Sequence, residues 1–131
     1  STETATPAET AAEPKLSPVE THKIEGKFLR GTLAEEFADA SLDHLSEANK
    51  SLIKFHGSYQ QEDRDARKNR SKAGAGKAYM FMIRLKLPGG KLTADQYLAM
   101  DDLCGRYGNS TLRITTRQSF QFHGVLKPNM K

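Results

Sequence analysis

The chain has 131 residues, 37% hydrophobic and 27% charged, with a net charge of +4, enough for one modest domain and not for two. Its one cysteine, Cys104, excludes an internal disulfide and cannot alone make a structural zinc or iron–sulfur site. No apolar run approaches a membrane span, and the acidic start lacks the basic and apolar regions of a secretory signal, so a cytoplasmic location is expected.

Residues 1–18, "STETATPAETAAEPKLSP", are dominated by Ala, Thr, Glu and Pro with almost nothing to bury, and read as a disordered leader. Residues 19–77 read as an extended and helical arm containing one short strand. Leu33, Phe37 and Leu45 predict a short helix over "LAEEFADASLDHL", and "SLIKFHG" predicts a brief strand from Leu52 to His56. From Tyr59 to Lys77 both charge signs occur with few apolar residues, which predicts an exposed helix or extended arm ending in a glycine loop.

Residues 78–131 read as a β-α-β unit. "AYMFMIRLKL" puts Tyr79, Phe81, Ile83, Leu85 and Leu87 on one side of a strand and Met80, Met82, Arg84 and Lys86 on the other, and "PGG" ends it. Thr93 and Gln96 form a capping box for a helix, with Leu92 and Tyr97 as a hydrophobic staple. Tyr97, Met100, Cys104 and Tyr107 are its expected buried stripe, and Gly108 its C-cap.

A second strand is expected over "TLRITTRQSFQFHGVLK", residues 111–127. One face reads Leu112, Ile114, Thr116, Gln118, Phe120 and Phe122; the other reads Thr111, Arg113, Thr115, Arg117, Ser119, Gln121 and His123. The second face has no carboxylate, and every one of its side chains can donate a hydrogen bond, as an anion site requires. Side chains four apart on a strand are separated by about 13 Å. Arg113 and Arg117 would therefore suit a large ligand with several carboxylates or phosphates rather than one small anion. The plainer reading is a solvated edge strand.

Charge supports the first reading without choosing a ligand. Residues 1–50 carry −5 and residues 51–131 carry +9, and no acidic residue follows Asp102. Such a field attracts nucleic acid, membrane surface or small anions alike. A β-α-β crossover with parallel strands would leave one sheet face open, where Arg84 and Lys86 join Arg113, Thr115 and Arg117. The tripeptide Phe-His-Gly occurs at Phe55–Gly57 and Phe122–Gly124, each at an expected strand end; it is read as chance repetition, and no histidine metal site is expected.

"LIKFHGSYQQEDRDAR", "MIRLKLPGG", "YLAMDDL" and "TLRITTRQSFQFHGVLK", in this order, resemble the N-terminal part of assimilatory sulfite reductase, the sirohaem and iron–sulfur hemoprotein. With "KFLRGTLAEEF", the resemblance covers residues 20–131, and "FHGSYQQ" and "YLAMDDL" look closer to its ferredoxin-dependent branch. It implies an α+β fold, the β-α-β half of a ferredoxin-like half-domain after an extended N-terminal segment. It also implies six-electron reduction of sulfite to sulfide on sirohaem, a tetrapyrrole ringed with carboxylates. By motif position Arg113, Thr115, Arg117, Gln121 and His123 look like groups around those carboxylates, and Arg84 like a grip on the substrate anion.

A 4Fe-4S cluster is implied as well, its four cysteines expected outside this chain, so the partners are sulfite, the C-terminal remainder of the reductase and ferredoxin as electron donor. Alone, the chain is expected to be inactive. Nitrite reductase shares much of this plan, but the histidine in "QFHG" favours sulfite. Two other classes stay open: a basic α+β module for nucleic acid, which would need aromatics among the basic side chains, and a folding or docking segment without ligand.

Overall fold

A computed structural model of the chain describes residues 14–131. The leader expected over residues 1–18 lies outside them as far as residue 13. Ser17 and Pro18 open α1 (Pro18–Glu25), in which Ser17 and Glu20 cap each other reciprocally and proline occupies the first turn, where no amide partner is needed.

Next comes α2 (Leu33–Ala38), shorter than the helix expected to reach Leu45. The chain leaves it at Asp39, whose carboxylate accepts from the Ser41 amide at 2.8 Å, a local bond that competes with helix continuation. Leu45 still reaches the core. The strand expected at Leu52–His56 is absent: Ser46 caps α3 (Glu47–Leu52), which runs into a 3-10 turn at Ile53–His56 ended by Gly57 at φ 82°. Leu45, Asn49, Leu52 and Ile53 are the buried positions here, and their spacing is helical.

Part of the supposed arm is a strand, β1 (Ser58–Glu62). It lacks apolar alternation, yet its inward polar groups are satisfied: Ser58 Oγ donates to the Met82 carbonyl at 2.7 Å and Gln60 Oε1 accepts from the Leu45 amide at 2.6 Å. Asp63 then caps α4 (Arg64–Lys72) by accepting from the Asp65 and Ala66 amides.

As expected, β2 (Tyr79–Arg84) is followed by α5 (Ala94–Tyr107) with the Thr93–Gln96 capping box and Gly108 at its end. The long second strand is instead a hairpin, β3 (Leu112–Ile114) and β4 (Phe120–Val125). Thr115 closes it: its amide donates to the Ser119 carbonyl at 2.8 Å, and its hydroxyl accepts from the Arg117 and Ser119 amides at 3.3 Å each. Threonine and serine favour such side-chain-to-backbone turns over ladder pairing.

The sheet order is β1-β2-β4-β3, with every neighbouring pair antiparallel. Consequently β2 and β3 point the same way across α5, but β4 lies between them, where the sequence predicted adjacent parallel strands. Leu45, Ile53, Phe81, Cys104, Phe122 and Val125 form the core on one sheet face, joined by Phe37, Ile83, Met100 and Leu112. Only Met100 and Cys104 bring α5 into it; Tyr97 and Tyr107, expected in its buried stripe, are 46% and 44% exposed.

Candidate functional site

Pairing register aligns three polar side chains on the sheet face opposite the core. Arg84 of β2 lies across from Gln121 of β4, and Gln121 across from Arg113 of β3. At about 4.8 Å between strands, the two arginines start about 10 Å apart with the amide between them. Neither makes an ion pair among the described residues, whereas Arg67 is tied to Glu62 and Arg106 to Asp102. Each of these two charges is thus held on the face without an ion-pair partner among the described residues.

Around this row the face is partly closed. Met82 and His123 are buried within it. His123 Nε2 lies 3.1 Å from Gln121 Oε1, so with the imidazole donating from Nε2 the Gln121 amide group keeps its N–H bonds for another acceptor. Burial, and secondarily the Arg113 charge, push the His123 pKa below its ordinary value, which favours the neutral ring. Its peptide neighbour Gly124 has φ 70°, and β4 shifts register against β2 between Phe81 and Ile83. Such an irregularity re-aims side chains locally.

The remaining predicted residues sit differently. Arg117 is not on a strand face at all; it is exposed in the Thr115–Ser119 turn, off the end of the row. Thr115 spends its acceptor capacity on that turn, leaving its hydroxyl hydrogen as the free donor. Lys86 lies beyond the end of β2 and is exposed.

A cleft of about 940 Å³ runs along the open face toward α4, lined by Gln61, Arg64, Met80, Arg113 and His123 among others. Arg84 and Gln121 lie outside its lining. Gln61 and Arg64 are not legible as lining residues in the sequence because β1 has no apolar run to mark it as a strand; the alternation of Tyr59 and Gln61 with the inward Ser58 and Gln60 is the one signal there. The repeated Phe-His-Gly has no common structure: His56 sits in a 3-10 turn with Nε2 2.8 Å from the Leu29 carbonyl, and His123 sits in β4.

Residues 73–131 match the model of the nitrite/sulfite reductase ferredoxin-like half domain. This likeness covers 59 of the 131 residues. The chain's antiparallel sheet with α5 on the core side is the α+β, ferredoxin-like plan expected from the motifs. The chain is also 52% identical over 117 residues to the sulfite reductase [NADPH] hemoprotein beta-component of Staphylococcus haemolyticus, covering 89% of this chain and 20% of that protein. The protein of the same name from Shouchella clausii is 54% identical over 115 residues, 88% of this chain and 20% of its own length. The sulfite reductase [NADPH] subunit beta of Schizosaccharomyces pombe is 51% identical over 119 residues, 91% of this chain and 8% of its own. The chain therefore spans about a fifth of the bacterial relatives' length. All three relatives are named for NADPH, whereas "FHGSYQQ" and "YLAMDDL" resemble the ferredoxin-dependent branch.

Among the described residues no helix is long and apolar enough to cross a membrane, and no three His, Cys, Asp or Glu side chains group as metal ligands. Cys104 is 1% exposed on the core side, with its pKa raised by burial and by Asp101. A cluster that needs four thiolates does not fit these residues. A carboxylate-ringed tetrapyrrole would meet guanidinium, amide and imidazole donors on β2, β3 and β4, which carry no acid; the acids that line the adjoining cleft, Glu62, Asp63 and Asp65, come from the end of β1 and the start of α4.

Proposed function

We propose that this chain is a segment of a sirohaem-dependent sulfite reductase, and that its open sheet face holds cofactor carboxylates at one end and the substrate anion at the other. The observation that carries this reading is the row Arg84–Gln121–Arg113, with both guanidiniums free of ion pairs among the described residues. Bound sirohaem would supply iron through which six electrons reach the sulfur of sulfite. Arg113 and the Gln121 amide donate to cofactor carboxylates, and His123 holds Gln121 in the orientation that frees its N–H bonds. Thr115 and Arg117 belong to the same group from the hairpin turn, where Arg117 reaches a more distant carboxylate.

Arg84 takes the substrate. Its fixed charge draws the sulfur oxyanion in and stabilises oxygens as they accept protons and leave as water. The 4Fe-4S cluster belongs to the part of the reductase outside these residues, and no step here runs through it. For the electron donor, "FHGSYQQ" and "YLAMDDL" support ferredoxin while the relatives' names support an NADPH-linked partner; turnover measured with each donor decides. A nucleic-acid face has less support, because a stacking platform needs several rings and, although Tyr59 lies beside Arg84, Phe122 is buried in the core and Phe120 shares its side of β4.

The test uses the full-length reductase. Arg113→Ala is expected to lower haem per polypeptide at nearly unchanged melting temperature, each lost charge-assisted hydrogen bond weakening cofactor binding by about 1.5–3 kcal/mol. Full haem content with a large drop in melting temperature would make Arg113 structural. Arg84→Ala is expected to keep haem and weaken sulfite binding, with Arg84→Lys recovering only part because an ammonium lacks the planar fork.

A further inference from the structure

We infer that Tyr59 is the positioning residue for Arg84, an inference that rests on the proposed role of Arg84 in taking the anion. Across the β1–β2 pair, Tyr59 faces Met82, on the same sheet side as Arg84. The position opposite Arg84 is Gly57, whose carbonyl accepts from the Arg84 amide at 2.8 Å. Gly57 has φ 82°, and a Cβ built there would meet nothing closer than Arg84 itself at 3.9 Å. The glycine therefore leaves Arg84 without a direct cross-strand side chain. Its diagonal neighbour Tyr59 fills that role, with the guanidinium carbon 5.8 Å from the ring centroid, inside the range of a cation–π contact.

The kind of anchor matters. Arg67 is held by the two oxygens of Glu62 at 3.2 and 2.9 Å, which fixes it but spends its charge and its N–H bonds. An aromatic ring instead takes the flat face of a guanidinium and leaves the in-plane donors free. Arg84 has no carboxylate partner and no side-chain hydrogen bond among the described residues, so the ring is the contact that orients it while keeping it available to an anion. The ring does this and the hydroxyl does not, which predicts that phenylalanine substitutes for Tyr59.

The experiment measures sulfite affinity of the full-length reductase from the change in haem absorbance, together with KM, kcat, haem content and melting temperature. Tyr59→Leu is expected to weaken sulfite binding and raise KM by roughly two- to fivefold with haem content at the parent level, and Tyr59→Phe to restore parental affinity. In an Arg84→Ala background, Tyr59→Leu is expected to add nothing further. If the Leu variant loses haem, Tyr59→Val, with a strand-favouring side chain, takes its place. Parental affinity in the variant lacking the ring, equal losses in the Phe and Leu variants, or a Leu effect that persists without Arg84 would each overturn the inference. Parental affinity in Arg84→Ala alone would instead remove Arg84 from the substrate, and the inference with it; impaired Arg84→Ala beside parental Tyr59→Leu overturns only the role of Tyr59.

Discussion

His123 shows how one residue reports on the face it belongs to. Its pKa is lowered from the ordinary value of 6.5 by burial and by Arg113, so on acidification the unfolded chain takes up this proton before the folded one does. Stability contributed by the neutral ring is therefore present above pH 6.5 and falls as pH drops from there toward the lowered folded value. Urea unfolding midpoints measured from pH 7.5 to about 5 should fall less steeply for His123→Asn than for the parent; equal slopes would mean the ring is not shielded. Lys127 makes a different point. Buried at 4% exposure, it donates to the Asp39 and Leu42 carbonyls at 2.8 and 2.7 Å, pinning the segment that follows α2. Lys127→Met keeps the stem but orphans two acceptors, and chemical denaturation should show a loss of about 1–3 kcal/mol.

At the scale of elements the β3–β4 hairpin decides the geometry of the open face. A thirteen-residue alternation over 111–123 predicts one strand, yet "TTRQS" turns because the Thr115 hydroxyl and backbone satisfy amides that a continuous strand would leave for a neighbour. The fold-back brings Arg113 opposite Gln121, eight positions later in the chain, and sends Arg117 to the tip. Thr115→Val should lower stability by about 1 kcal/mol, whereas Thr115→Ser should retain it, as thermal melts of both would show. The bulge end of the hairpin is more sensitive. Gly124 combines φ 70° with a Cβ position 2.7 Å from Asn109 Cβ, so Gly124→Ala should destabilise by about 1–3 kcal/mol and shift His123 with it. Such a variant should also lose the parent's His123 imidazole resonance position in NMR; an unmoved resonance would show that the bulge does not set the ring.

For the whole molecule, one core on one sheet face leaves the other open, and Cys104 measures how tightly that core holds. At 1% exposure and with a raised pKa, the thiol should react with a thiol reagent only through unfolding. Labelling rates should therefore track global stability across the Lys127 and Gly124 variants, and rapid labelling of the folded parent would contradict the burial.

Local chemistry was readable without coordinates. The Thr93–Gln96 capping box, the β2 alternation, the acid-free basic stretch and the linked motifs of a sulfite reductase all depend on residues within a few positions of one another, or on order along the chain. Tertiary structure alone decided the rest. β1 has no apolar pattern because its inward Ser58 and Gln60 are satisfied by backbone groups 24 and 15 residues away. Asn49, Leu52 and Ile53 became helical because Ser46 and Gly57 cap the segment at both ends. The row Arg84–Gln121–Arg113 depends on β4 entering between β2 and β3. Side-chain alternation says which residues share a face of one strand, but which strands lie side by side is set by packing of the whole core against distant partners, and periodicity carries no record of that.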